Sequence, residues 1–198
     1  MSEPPRIVLA SRSPRRAELL GRLGLEFTVE PSDVDEGYAG DEMPAALAER
    51  LAREKAIAIA HRHRDALVIG SDTIVVLDSD VLGKPRDAVE AIHMLGRLSG
   101  REHEVYTGIA VSHGGRIESS LERVAVRFRH LTVAECESYA ATGEPLDKAG
   151  AYGIQGFGSA VVESIQGDYF AVMGLPVVRL LSLFQKFGWR YDFGRLAQ

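Results

Sequence analysis

The sequence predicts an α/β protein built on a mixed sheet, and three observations predict it. Short apolar runs of strand length alternate with stretches of helical periodicity along almost the whole chain. Glycine-centred breaks at Gly114-Gly115 and Gly167-Asp168 separate apolar runs as hairpins do, so antiparallel pairs coexist with strand–helix units. No linker, internal repeat or low-complexity tract interrupts the alternation, which favours one domain over residues 1–198, arranged as one body or two lobes.

Composition narrows the class. The chain has 198 residues, 45% hydrophobic and 26% charged, the balance of a soluble globular protein. A net charge of -5 argues against a general nucleic-acid binder and still permits a local basic pocket. Cys136 is the single cysteine, so an intramolecular disulfide is excluded, and its helical context predicts a small core residue. The start Met1 to Pro5 lacks a signal-peptide pattern, and no apolar run reaches membrane-spanning length. A cytoplasmic protein without a membrane partner is expected.

Element by element, Ile7 to Ala10 read as a short buried strand. Ser13 suits an N-cap, Pro14 the first helical position, and Leu19, Leu20 and Leu23 form a stripe that Gly24 ends. Phe27 to Glu30 form a strand, followed by an acidic loop with Asp33, Asp35, Glu36, Asp41 and Glu42. Pro44 to about His63 is a helix with Leu47, Leu51 and Ala58 inward, and His61-Arg62-His63-Arg64 are cations at its C-terminus. Ala66 to Ile69 and Ile74 to Leu77 are two strand runs separated by Gly70-Ser71-Asp72-Thr73. Asp87 with Glu90 opens a helix that closes at Gly100.

Val105 to Ser112 and Arg116 to Glu122 then form a hairpin, and Val124, Val126 and Phe128 alternate with arginines as a half-buried strand. Thr132 and Glu135 make a second capping box for a helix ending near Gly143. Ala160 to Ile165 and Tyr169 to Met173 are expected as a hairpin across Gly167-Asp168. An amphipathic helix follows Gly174-Leu175-Pro176, and Trp189 to Gln198 read as a tail.

Four segments carry chemistry. In the first, Arg15 and Arg16 occupy the opening turn of a helix, with Arg12 just before it. That turn carries a partial positive charge, so each cation there costs on the order of 0.3–1 kcal/mol unless an anion binds. A phosphate-binding strand-to-helix turn follows; the alternative is that these arginines are solvated or paired with acidic residues elsewhere. The second is Gly70-Ser71-Asp72-Thr73, where an Asp between core strands is costly unless paired or functional. A tight turn with an Asx hydrogen bond is its plain reading. The third, Leu82-Gly83-Lys84-Pro85-Arg86, is a cationic loop whose glycine spacing and Pro85 exclude a P-loop. The fourth runs from Lys148 to Gly158, where glycines permit close approach of a ligand and Gln155 can donate and accept toward a base edge.

Phosphoanhydride cleavage makes the four coherent. It needs cations around the charged oxygens, an in-line water, a group to orient or deprotonate it, and commonly a divalent metal on carboxylates. Arg12, Arg15, Lys55 and Lys84 supply charge, Asp72 is the candidate base, and Glu36 with Asp72 are candidate ligands for Mg²⁺ or Mn²⁺. By spacing alone, Glu36 reads equally as a solvated loop residue and Lys55 as a helix-surface residue.

Ser11-Arg12-Ser13-Pro14-Arg15-Arg16, Asp35-Glu36, Arg53-Glu54-Lys55-Ala56, Ser71-Asp72-Thr73, Gly83-Lys84-Pro85, Asp147 to Gly156 and Gly174-Leu175-Pro176 together resemble the Maf family. These are nucleoside triphosphate pyrophosphatases historically named for inhibition of septum formation. The resemblance covers almost the whole chain. It implies the elongated Maf/ITPase-like α/β fold, a mixed sheet flanked by helices with two lobes and a central cleft, and a homodimer. It also implies metal-dependent hydrolysis of a nucleoside triphosphate to the monophosphate and pyrophosphate. Matched residue by residue, the proton acceptor falls on Asp72 and the phosphate and metal cluster on Ser13, Arg15, Glu36, Lys55 and Lys84, with Arg16 beside them. The positions separating subfamilies fall on Arg15, Thr73 and Gln155, a combination that resembles the dTTP/UTP branch. The 7-methyl-GTP branch carries Trp, Gln and Glu there instead. Ser71 departs from that dTTP/UTP pattern, in which Ala is common. A nucleotide-binding regulator of septation without turnover is the reading from another class; it would not need Asp72.

Overall fold

The computed structural model describes residues 4–38 and 42–198, so Asp41 of the expected acidic loop and residues 1–3 lie outside the described residues. The chain divides into two compact units. One comprises Met1–Asp72, Thr107–Glu122 and Gly174–Gln198; the other comprises Thr73–Tyr106 and Arg123–Met173. The expected α/β class with a mixed sheet is what the protein adopts.

In the first unit, β1 (Ile7–Leu9) runs parallel to both β2 (Phe27–Val29) and the start of β3 (Leu67–Leu77). The start of β3 is followed in the sheet by β5 (Glu102–His113) and β6 (Arg116–Phe128), the hairpin that Gly114-Gly115 predicts. Helix α1 (Pro14–Arg22) begins where Ser13 and Pro14 place it and buries Leu19 and Leu20. Helix α2 (Pro44–Ala60) buries Leu47, Ala48, Leu51, Ala52, Lys55, Ala56 and Ile59 on one face.

The burial pattern of α2 has a specific cause. An added Cβ on Gly70 would lie 2.2 Å from the Ala52 carbonyl oxygen, and one on Gly108 would lie 2.2 Å from that of Ala48. Two bare strand positions thus admit the helix backbone itself, with alanines as the matching stripe. Arg62 and His63 past its end share Glu30, His63 Nε2 lying 2.5 Å from Glu30 Oε2. The cations after α2 are therefore tied to a carboxylate at the end of β2, where the sequence pointed to the helix dipole alone.

The second unit holds the rest of β3, β5 and β6 together with β4 (Asp80–Leu82), β7 (Val162–Gln166), α3 (Ala88–Leu98), α4 (Val133–Ala141) and α5 (Tyr169–Val172). The capping box of Thr132 and Glu135 forms in full, whereas that of Asp87 and Glu90 forms in half: the Asp87 side chain accepts from Glu90 N, but the Glu90 carboxylate accepts from Arg86 N instead of the N-cap N–H. Phe128, Leu95, Leu98, Val124 and Val126 centre its core, and Cys136 is buried among them.

Three expectations change. Gly70-Ser71-Asp72-Thr73 is not a turn: β3 runs unbroken through it for 11 residues. Tyr169 to Val172 is helical, because Asp168 accepts a hydrogen bond from Phe170 N at 2.8 Å and caps the turn, so no hairpin crosses Gly167-Asp168. The segment expected as a tail follows α6 (Val177–Lys186) as a small antiparallel pair, β8 (Arg190–Tyr191) with β9 (Leu196–Ala197). Buried Trp189 and Leu196 and the Tyr191 hydroxyl, which donates to the Leu23 carbonyl at 2.7 Å, fasten it to the first unit. No helix among the described residues is long and apolar enough to cross a membrane.

Candidate active site

The unbroken β3 explains why its polar stretch is tolerated in a buried strand. Ser71 is fully buried, and its Oγ lies 2.8 Å from the Gly108 carbonyl and 2.9 Å from that of Gly174, donating to one at a time. Asp72 points from the strand toward α2, two residues on from Gly70 and therefore on the same face. Its Oδ1 accepts from Lys55 Nζ at 2.6 Å. Close contact between α2 and Gly70 is what brings that lysine within reach.

Lys55 Nζ also donates to Glu36 Oε1 at 2.5 Å. One ammonium therefore bridges two carboxylates separated by 36 positions. Its side chain is 8% exposed and that of Asp72 11%, whereas Glu36 is 47% exposed, so the pair opens to solvent on the Glu36 side. Burying Lys55 and Asp72 costs desolvation of both charges, and the mutual attraction offsets this without making the pair a source of stability. Lys55 thus lies on the buried face of α2, which settles its alternatives against a helix-surface residue.

The arginine turn sits in the same unit. No acidic residue occupies the first turn of α1, and Ser13 makes no side-chain capping bond. Instead the buried Ser11 Oγ accepts from Ser13 N and from an Arg16 guanidinium nitrogen, each at 3.2 Å. Arg16 Nε donates to the Gly174 carbonyl at 2.8 Å, so this arginine braces the turn against the loop before α6. Burial lowers the Arg16 pKa from its ordinary value; Asp72 opposes that, Arg15 adds to it, and Glu36 opposes it again. Arg15, Arg16, Asp72 and Glu36 all belong to this first unit. Arg12 is exposed and ion-paired with Asp33.

Next to Glu36, the Gly37 carbonyl accepts from Arg50 Nη2 of α2 at 3.5 Å. The Arg50 guanidinium bonds both Glu42 oxygens, at 2.9 to 3.1 Å, and both Glu54 oxygens at 3.1 Å. Those carboxylates raise the Arg50 pKa above its ordinary value. The sequence drew no attention to Arg50 or Gly108, and it gave Ser11 and Gly70 no role of their own within the segments that contain them. Only the i, i+4 spacing of Arg50 and Glu54 was a usable signal.

Thr73, Lys84 and Gln155 belong to the second unit. Thr73 follows Asp72 on β3 and is half-buried, and Lys84 is exposed after β4. The Lys84 loop and the glycine-rich segment meet, since Gly150 N donates to the Gly83 carbonyl at 3.1 Å. Gly150 has φ +67 and Ala151 φ +57, consecutive left-handed residues, and an added Cβ on Gly150 would lie 2.9 Å from Val75 Cγ1. Gln155 is half-buried, next to the buried Ile154.

The chemistry available is that of an anionic ligand beside a held carboxylate. Two acids sharing one ammonium also match part of a hard-cation donor set, because Mg²⁺ takes one or two carboxylates and completes its shell from water and phosphate oxygens. Among the described residues no cluster of three or more His, Cys, Asp or Glu side chains forms. Glu36 and Asp72 supply the one or two carboxylates that such a donor set takes from the protein.

Known proteins resemble this chain over most of its length. The family model described as Maf-like protein matches residues 6–187. A dTTP/UTP pyrophosphatase of Moorella thermoacetica is 55% identical over 92% of this chain and 95% of its own length. Proteins of the same name from Symbiobacterium thermophilum and Myxococcus xanthus are 50% and 49% identical, over 92% and 93% of this chain and 94% and 95% of theirs. With the arginine turn, the Lys55 bridge and the glycine-rich segment all inside the matched span, the chain belongs to the Maf family.

Proposed function

We propose that the chain is a hydrolase that converts dTTP and UTP to the monophosphate and pyrophosphate. The observation that carries this reading is the Lys55 bridge, which holds the Asp72 carboxylate in a fixed orientation in the same unit as the arginine turn. Relatives up to 55% identical that bear the name dTTP/UTP pyrophosphatase support the substrate class.

In this reading Arg15 and the N–H groups opening α1 bind the polyphosphate, and Ser13 offers a hydroxyl that capping leaves unused. Lys84 neutralises charge on the departing pyrophosphate. Asp72, pinned through Oδ1, takes the proton of the attacking water on Oδ2 as that water approaches the α-phosphorus. Arg16 keeps the turn in place by its bonds to Ser11 and Gly174. Glu36 and Asp72 would hold a divalent cation, Mg²⁺ or Mn²⁺, which when bound offsets negative charge on the phosphate oxygens. Thr73 and Gln155 face the nucleoside, Gln155 presenting a donor and an acceptor to the pyrimidine edge. The active form is a homodimer, which sedimentation velocity tests.

Incubating the purified protein with Mg²⁺ or Mn²⁺ and a panel of nucleoside triphosphates tests the reading. UMP and dTMP with pyrophosphate are the expected products. Preferred turnover of 7-methyl-GTP, release of UDP and phosphate, or no turnover would each overturn it.

A further inference from the structure

We propose that Tyr139 and Glu144 form a clamp that fixes the backbone on both sides of Gln155 and so sets discrimination between bases. Both act as positioning residues, and the inference rests on the reading of Gln155 as the base-facing group.

Tyr139 is a buried residue of α4, and its hydroxyl is the hinge of the arrangement. It accepts from Gly153 N at 3.2 Å and donates to Glu144 Oε1 at 2.8 Å. Glu144 Oε1 also accepts from Gly158 N, and Oε2 from Phe157 N, each at 3.0 Å. One hydroxyl–carboxylate pair therefore ties down Gly153 at one end of a short loop and Phe157 and Gly158 at the other. Gln155 lies between the two anchors. Lys148 Nζ bonds the Glu144 carbonyl and Asp147, which ties the preceding turn to the same point.

The glycines show how tightly the loop closes. An added Cβ on Gly158 would lie 2.0 Å from the Gly153 carbonyl oxygen and 2.5 Å from the Tyr139 hydroxyl. One on Gly156, whose φ is +64, would lie 2.4 Å from Glu144 Oε2. Burial raises the Glu144 pKa, but the donors from Phe157, Tyr139 and Gly158, with Lys148 nearby, together hold it below the ordinary value. The carboxylate is thus ionised at neutral pH and binds its three donors as charge-assisted hydrogen bonds. A glutamine discriminates base edges only when its amide is held in place, since a shift of about 1 Å can cost on the order of 10²-fold in a positioned contact.

The test compares kcat/KM for UTP and GTP in Tyr139→Phe, Glu144→Gln, Gln155→Ala and the Tyr139→Phe/Gln155→Ala double variant. Losing the hydroxyl leaves Gly153 N–H and Glu144 each short of a partner, so the UTP:GTP ratio is expected to fall on the order of tenfold in Tyr139→Phe, chiefly through KM for UTP. Glu144→Gln turns an amide N–H toward Phe157 N–H and is expected to lose the ratio likewise; should it not fold, Tyr139→Phe carries the test. In the Gln155→Ala background Tyr139→Phe should change the ratio no further. A ratio kept in Tyr139→Phe while only thermal stability falls, or additive effects in the double variant, would overturn the clamp. Wild-type enzyme with no UTP preference would remove the reading of Gln155 itself, and that failure is visible before any variant is made.

Discussion

Lys55 of α2 meets Asp72 of β3 at 2.6 Å because residue 70, on the same strand face, has no side chain to hold the helix away. The contact joins a packing decision to a chemical one. Helix α2 approaches a strand whose bare position lets the Ala52 carbonyl come within van der Waals distance, and a lysine on the buried face then has a carboxylate to meet.

Gly70→Ala should therefore injure activity more than stability. Its methyl would sit 2.2 Å from the Ala52 carbonyl, so α2 must move outward. Overpacking of this kind costs about 1–3 kcal/mol. An unfolding free energy in urea lowered by that amount, with kcat falling by more than the folded fraction accounts for, is the expected outcome. Unchanged kcat in a folded variant would separate the packing contact from the chemistry.

Asp72→Asn keeps the shape of the strand and removes the proton acceptor. A positioned general base contributes roughly 10²–10⁴ in rate, so kcat should fall within that range while circular dichroism stays native. Wild-type turnover in this variant would take Asp72 out of its role. Retained nucleotide binding without turnover is the accompanying expectation, measured by calorimetry.

Lys84→Ala is expected to lower kcat by about 10²–10³, the usual cost of losing one donor to developing charge. Its exposure predicts little change in thermal stability. A large loss of stability with normal kcat would make Lys84 structural.

His103 gives the protein a pH dependence that has nothing to do with catalysis. It is buried between Phe128 and Tyr152, its Nε2 2.8 Å from the Tyr152 hydroxyl, and burial pushes its pKa down to about 4. The unfolded chain binds a proton near the ordinary value of 6.5, before the folded one does. Stability from this group is thus fully present above about pH 6.5 and is lost as pH falls toward 4, a loss of about 3 kcal/mol. Urea unfolding at pH 7 and pH 4.5 should show a smaller pH difference in His103→Gln than in the wild type. Equal differences would assign the acid sensitivity elsewhere.

Much of the site was legible in the sequence, because misplaced charge leaves a trace. Cations in the first turn of α1 and an aspartate among core residues both conflict with their local surroundings, and such conflicts single out candidate site residues. The unbroken β3 was not legible. Gly, Ser, Asp and Thr in succession have the composition of a turn, and only tertiary partners satisfy them: Gly108 and Gly174 for Ser71, Lys55 for Asp72. Nor did spacing decide between the two readings of Lys55, since the buried face of α2 is set by the bare positions at 70 and 108, far away in sequence. The four apolar residues after Asp168 are too few to show a period, so their helix escaped notice. The carboxylate hub at Glu144 was hidden for a similar reason, two of its three donors being backbone N–H groups that every sequence has.

The most direct measurement is turnover of UTP with Mg²⁺ in H₂¹⁸O, followed by mass spectrometry of both products. Water activated by Asp72 and attacking the α-phosphorus predicts one ¹⁸O in UMP and none in pyrophosphate, with the labelled UMP signal lost in Asp72→Asn. Label in the pyrophosphate, or undiminished labelling of UMP by the Asp72→Asn protein, would contradict it.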